Sequence, residues 1–179
     1  MGHNLEHTFG PADFLVEHFT LLPPGRVLDV AMGNGCNAVF LAARGFEVEG
    51  VDRSAEAVAT ALKMAAEKGV RITATVADLE AGYVIPDEAY DGIVCFNYLQ
   101  RSLIPSIKTG LRRGGVVIYE TFITDQARFG KPRNPDYLLQ HNELLRFFHD
   151  FRCLRYREGV FENGLAAKKA IASIVAEKV

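Results

Sequence analysis

The residues best suited to chemistry lie close together in VLDVAMGNGCNA, residues 27–38. An apolar run passes into Gly33 and Gly35 and then into a helical pattern, an arrangement in which backbone N–H groups at a helix start come close to a bound ligand. Gly33-Asn34-Gly35-Cys36-Asn37-Ala38 matches G-x-G-x-x-A, and Asp52 follows 19 residues after Gly33 at the end of the next strand pattern. A carboxylate there accepts hydrogen bonds from ribose hydroxyls, so the spacing admits a nicotinamide dinucleotide. Asp29 argues for a different ligand. A carboxylate at the end of the first strand, just before the turn, weakens the positive field that a pyrophosphate needs. S-adenosylmethionine has no phosphate and carries an ammonium and a sulfonium, both of which a nearby anion favours. Asp78 follows the third strand pattern with Leu79 beside it, a carboxylate to accept an adenine amino group and an apolar side chain to cover the ring. Arg53 and Asn97 complete the cofactor-side candidates, which are Asp29, Gly33, Gly35, Asp52, Arg53, Asp78, Leu79 and Asn97.

These residues need elements that hold them at one end of a sheet. PADFLVEHFT (11–20) has helical spacing and is stopped by Pro23-Pro24-Gly25. Strand patterns follow at 26–31, 46–52, 71–78, 90–99 and 114–122, with helices predicted at 37–45 and 54–69 and a Pro105-interrupted helical piece running to Arg113. Ser54 is suited to cap the second of these helices and Gly69 to end it. Such alternation predicts an α/β domain with a doubly wound, mainly parallel sheet covered on both faces. Residues 123–136 are polar and rich in Pro and Gly, predicting a long surface loop that carries Arg128, Lys131 and Arg133. A helix is predicted over 143–151, and strands over 151–163 and 165–178 joined by an Asn163-Gly164 hairpin turn. The last segment is Ala-rich and also compatible with a helix; the hairpin signal and its Ile and Val content favour a strand. The whole chain, 1–179, is expected to be one domain: a lead-in helix over 1–25, a cofactor-binding core over 26–122, and a substrate loop, helix and terminal strands over 123–179.

Composition agrees with a single domain. At 179 residues, 49% hydrophobic and 23% charged, the chain has enough apolar surface for one ordinary core. The net charge of −2 argues against a general nucleic-acid binder. It conceals a split: residues 1–100 hold 6 Lys and Arg against 14 Asp and Glu, while residues 101–179 hold 14 against 8. Cys36, Cys95 and Cys153 form no C-x-x-C pair, which suits a reducing, cytoplasmic compartment. No membrane span or secretory signal is expected, and Glu6 stands where an N-myristoylation signal has Ser or Thr. No metal site is expected, since His3 and His7 lie near the terminus and the other histidines do not converge.

With VLDVAMGNG, VEGVD, ADL, YDGIV and LRRGG in this order over residues 26–122, the chain resembles the class I S-adenosylmethionine-dependent methyltransferases. It departs from their D-x-G-x-G pattern at Ala31, where the family has its first glycine. GNGCNAVFLAARGFEVEGVDRS and NELLRFFHDFRCLRYREG are more narrowly similar to the small TehB-type tellurite-resistance methyltransferases. The resemblance implies a Rossmann-like sheet of about seven strands with the last antiparallel, and a small-molecule acceptor such as a thiol or chalcogen oxyanion methylated by direct displacement. Asn97-Tyr98-Leu99-Gln100 lacks the Asn/Asp-Pro-Pro-aromatic pattern of amino-group methylases, and no target-recognition domain is evident, so no nucleic-acid partner is expected. Tyr98, Glu120 and His149 are the candidate catalytic residues, with Glu120 and His149 the first to test if the acceptor needs a base; Tyr119, Arg128 and Arg133 are the candidate acceptor contacts. The oligomeric expectation is a monomer or homodimer. Two alternatives stay open, a non-catalytic cofactor-binding domain and an NAD(P)-dependent oxidoreductase.

Overall fold

The computed structural model describes residues 10–162 and 167–179. Seven strands form one sheet in the order β3-β2-β1-β4-β5-β7-β6, with β1 Arg26–Val30, β2 Glu47–Asp52, β3 Thr73–Val76, β4 Tyr90–Phe96, β5 Leu111–Phe122, β6 Arg152–Glu162 and β7 Lys168–Glu177. The first five are parallel, and β7 lies antiparallel between β5 and β6. The expected seven-stranded α/β sheet with an antiparallel last strand is therefore present, and the ambiguous terminal segment is a strand. The Asn163-Gly164 turn and His3 and His7 lie outside the described residues.

Burial explains why each run takes its place. VLDV of β1 and GIVCF of β4 are buried throughout, as strands in the middle of a doubly covered sheet must be, whereas β3 at the edge is largely exposed. Leu28, Val30, Ile93, Cys95, Val117 and Tyr119 face one side and pack with Ile104 and Ile107 of α4 (Ile104–Gly110) and Leu144 of α5 (Glu143–Phe147). Val27, Val94, Val116 and Ile118 face the other side and meet α1 (Asp13–His18), α2 (Cys36–Ala42) and α3 (Ala55–Glu67). In α3, the Ser54 hydroxyl accepts the Ala57 N–H at 3.1 Å, Val58, Ala61 and Ala65 form the buried stripe, and Gly69 follows the helix at φ +68°.

Several boundaries differ from the sequence expectation: β3 is Thr73–Val76 rather than 71–78, β4 ends at Phe96 rather than 99, and α2 ends at Ala42 rather than 45. β5 begins at Leu111, so the helical piece stops at Gly110 rather than Arg113; Gly114 at φ +79° lies in an irregular stretch where pairing with β4 passes from Tyr90–Leu111 to Gly92–Val116. α5 is confined to Glu143–Phe147, and the segment at 123–136 contains two short 3-10 turns, Thr124–Arg128 and Pro135–Tyr137. Thr124 N–H donates to the Leu139 carbonyl at 3.0 Å and Leu139 N–H to the Phe122 carbonyl at 2.9 Å, closing 123–139 into a strap pinned at both ends. Inside it, the Gln126 side chain accepts the Ala170 N–H at 2.8 Å, satisfying a buried backbone donor, and donates to the Lys131 carbonyl at 3.2 Å.

Candidate functional site

β1 has β2 on one side and β4 on the other, and at such a reversal the loops after the strands part and leave a crevice at their C-terminal ends. There the chain turns from β1 into α2 through three left-handed residues, Ala31 at φ +54°, Gly33 at +53° and Gly35 at +80°. The turn is braced from both sides. Met32 N–H donates to the Val51 carbonyl at 3.0 Å, and Gly35 N–H to the Met32 carbonyl at 3.0 Å. A Cβ on Gly35 would lie 2.4 Å from that of Ala61, so this glycine is required by contact as well as by φ. Ala31 stands in a conformation that L residues rarely adopt, and the missing glycine of the D-x-G-x-G pattern thus appears as local backbone strain.

Asp52, ending β2, supplies the connection that the sequence spacing hinted at: one carboxylate oxygen accepts the Gly33 N–H at 2.8 Å, and the other accepts the Ser54 N–H at 2.9 Å. Beside it opens a cavity of about 300 Å³. Its walls are Ala31, Asp52, Arg53, Asp78, Leu79, Glu80, Tyr98, Leu99 and Tyr137. Five sequence candidates, Asp52, Arg53, Asp78, Leu79 and Tyr98, therefore meet on one cavity. Asp78 also accepts the Glu80 N–H at 2.9 Å, a local turn that brings Glu80 to the wall. The Tyr98 hydroxyl donates to the Gln100 side chain at 2.6 Å, and burial pushes its pKa up to about 12, so it is a neutral donor at ordinary pH.

Asp29 lies beneath this turn rather than in the wall. It is 1% exposed, and its Oδ2 has no hydrogen-bond partner. Burial pushes its pKa up to about 8, against the lowering effect of the Ala38 N–H and with a further rise from Asp52. Asn97, also left-handed at φ +56°, is exposed and outside the wall. The remaining candidates are dispersed. Tyr119 is 1% exposed in the core, where its hydroxyl donates to the Tyr98 carbonyl at 2.8 Å; burial drives its pKa well above the ordinary value. Glu120 points to the opposite face of β5, accepting from Ser173 at 2.6 Å and from Arg157 at 3.2 Å. His149 is exposed at the end of α5, with Nδ1 2.9 Å from the Arg146 carbonyl. Arg128 pairs with Asp125 at 3.5 Å, and Arg133 is exposed in the strap. All three cysteines are free; Cys95 is fully buried, and that burial pushes its thiol up to about 12.

Several wall and support residues had no signal strong enough to single them out. Glu80 is two residues from Asp78 and could have been found as its turn partner. Tyr137 arrives from the strap, in a Pro-Asp-Tyr turn that resembles any loop. His141, just past the strap, meets Asp125 on it at 2.5 Å; the bond and charge of Asp125 raise the His141 pKa, and those of His141 lower that of Asp125. Among the described residues no group of three or more His, Cys, Asp and Glu side chains could hold a metal ion. No helix there is long and apolar enough to cross a membrane.

The arrangement fits one kind of small ligand. Three carboxylates face the cavity with Arg53 as the cation beside them, and an open backbone at Gly33 has nothing within 4 Å of its absent side chain. That field repels phosphate and favours ammonium, sulfonium, hydroxyl and amino groups.

The family profile of tellurite resistance protein TehB matches residues 5–169. Hemagglutinin 1 of Eikenella corrodens is 32% identical over 144 residues, covering 76% of this chain and 47% of that protein. A probable S-adenosyl-L-methionine-dependent methyltransferase TehB of Haemophilus influenzae is 26% identical over 178 residues, covering 92% of this chain and 61% of that protein. The crystal structure of TehB from Haemophilus influenzae superposes with a TM-score of 0.79 at 23% identity, over 92% of this chain and 61% of that one. The chain thus spans about half to three fifths of the length of these relatives, and the structural likeness establishes the fold.

Proposed function

Because the chain belongs to the tellurite resistance protein TehB family, we propose that it is an S-adenosylmethionine-dependent methyltransferase acting on a small molecule, with a soft thiol or a chalcogen oxyanion as the acceptor class. The observation that carries this reading is the charge of the cavity. Asp52, Asp78 and Glu80 surround it with one cation, Arg53, beside them, while Asp29 under the adjoining turn is mostly protonated and adds little to that charge. A dinucleotide would place its pyrophosphate among these acids; S-adenosylmethionine would place its hydroxyls, amines and cationic centres there. The residues proposed to hold it are Asp52 for the ribose hydroxyls, Asp78 with Leu79 for the adenine, the Gly33–Gly35 turn for the amino-acid end, and Arg53 and Asn97 at the rim; Asp29, expected from the sequence as a direct contact, is buried behind that turn and outside the wall.

Bound there, S-adenosylmethionine would supply a methyl group on positively charged sulfur to a thiolate, its proton already lost to solvent, or to a chalcogen lone pair, and the thioether left behind is neutral and needs no acid. The protein's part is orientation and exclusion of water. Tyr98 retains its proton at ordinary pH and its hydroxyl donates to Gln100, so it shapes the wall instead of accepting a proton. Glu120 is committed to Ser173 and Arg157, and His149 is outside the cavity wall. An acceptor that is already a good nucleophile suits this wall better than a phenol or alcohol needing a base.

Calorimetry with S-adenosylmethionine, S-adenosylhomocysteine, NAD and NADP tests the cofactor. Binding of the two sulfur ligands is expected, weakened several-fold or more by Asp52→Ala. Binding of NAD alone overturns the reading. Incubation with labelled S-adenosylmethionine and a panel of thiols, metalloid oxyanions, phenols and amines then tests transfer; cofactor binding without any methylated product favours a non-catalytic binding domain.

A further inference from the structure

Tyr137 is the strap's contribution to the cavity wall, and it is 53% exposed. An aromatic side chain left half in water is ordinary on a surface; what surrounds this one is not. Arg101, in the turn after β4, fixes the backbone on both sides of it. Its Nη1 donates to the Asp136 carbonyl at 2.9 Å and its Nη2 to the Leu138 carbonyl at 2.9 Å. The same guanidinium meets Glu143 through two bonds, Nε to Oε1 at 2.7 Å and Nη2 to Oε2 at 3.0 Å. Glu143, itself buried, also accepts the Gln140 N–H at 2.7 Å. Asn134 closes the turn beneath Tyr137 by accepting the Asp136 N–H at 3.1 Å.

Clamping a loop costs conformational entropy for each residue held, and the clamped ring recovers little of it by burial. The ring sits on a cavity whose other walls include Leu79, Leu99 and Tyr98. An apolar and aromatic lining with carboxylates at its edge is suited to a flat base whose faces are apolar and whose exocyclic amine is a donor. We propose that Tyr137 is a binding residue that packs against the purine of the cavity's ligand, and that the Arg101–Glu143 pair is the positioning element that holds it there. This rests on the cofactor reading above, since it requires a purine in this cavity. Arginine is needed for the positioning because one planar guanidinium reaches a carboxylate and two carbonyls at once; a lysine ammonium has three donors but no fixed fork.

The test is a double-mutant cycle on S-adenosylhomocysteine affinity, read by calorimetry on the full chain. Tyr137→Ala is expected to weaken binding about 10-fold, the scale of one base stacked on an aromatic ring, and Tyr137→Phe to retain it. Glu143→Gln and Arg101→Lys are each expected to weaken binding about 3-fold in the wild-type background and to have little further effect once Tyr137 is alanine, because both act through that ring. A merely structural role would give the same factor in both backgrounds and would overturn the positioning claim. Should Arg101→Lys fail to fold, Glu143→Gln carries the cycle. Unchanged binding by Tyr137→Ala, with Asp52→Ala still impaired, overturns this proposal and leaves the cofactor reading standing. If the wild-type chain binds no S-adenosyl ligand, both fall together.

Discussion

The turn after β1 and the strap after β5 reach the same cavity and are held by opposite means. The turn is fixed by its own backbone: three left-handed residues within five positions, a glycine pressed against Ala61, and the Asp52 carboxylate bridging to Gly33. The strap has no such local compulsion. Beyond the backbone bonds that close its ends, contacts with remote sequence hold it: Arg101, itself bonded to Glu143 42 residues away, donates to the Asp136 and Leu138 carbonyls, and the strap's Gln126 accepts from the Ala170 backbone 44 residues away. The difference teaches where each part of the wall is free to change. A ligand contact made by the turn is tied to the fold, while one made by the strap can be altered by changing its ties.

The contrast is open to attack at several points. The largest effect is expected at Gly35→Ala, which adds a side chain at φ +80° and 2.4 Å from the Ala61 Cβ; urea unfolding should show a loss of about 3 kcal/mol from strain and overpacking. A near-neutral result would mean that the turn yields as easily as the strap. Next comes pH. Asp29 has a folded pKa of about 8, above its ordinary value of 3.8, so between those limits the folded state binds the extra proton and stability falls as pH rises. Asp29→Asn should flatten that dependence in unfolding curves taken at pH 5 and pH 8; a wild-type slope retained in the variant would assign the effect to another group. A smaller change, a gain of up to about 1 kcal/mol, is expected from Ala31→Gly, which relieves the left-handed alanine at some cost in unfolded-chain entropy. On the strap, Arg133→Ala should shift stability by less than about 0.5 kcal/mol, as for most exposed substitutions. A loss comparable to that of Gly35→Ala would show the strap to be as tightly determined as the turn.

These differences also decide what was legible in the sequence. The alternation of strands and helices, the glycine turn and the positions of Asp52 and Asp78 are local signals, repeated over a few residues, and the structure places them as the spacing predicts. The ends of strands were legible and their faces less so. Tyr119 and Glu120 are neighbours inside β5, which runs on to Phe122, and successive side chains of a strand point to opposite sides; one enters the core beside Cys95 and Phe148, and the other meets Ser173 and Arg157. Arg101 and Glu143 carried no signal, because two charged residues of common type 42 positions apart have no period and no motif. Tyr137 was hidden for the same reason: its place depends on where the strap returns, and that return is set by Arg101 and by the Leu139 backbone bonds.

The position of β7 also sets a schedule. It enters between β5 and β6, although both precede it in the chain. During synthesis, β1 to β5 are available to assemble as soon as they emerge, but β5 then presents a bare edge, and β6 appears with no strand to accept it. Both wait for residues 168–177. A ribosome that stalls before this point therefore carries a nascent chain with a nearly complete ligand crevice, a bare edge on β5 and an unpaired β6, the kind of surface that chaperones or neighbouring chains capture.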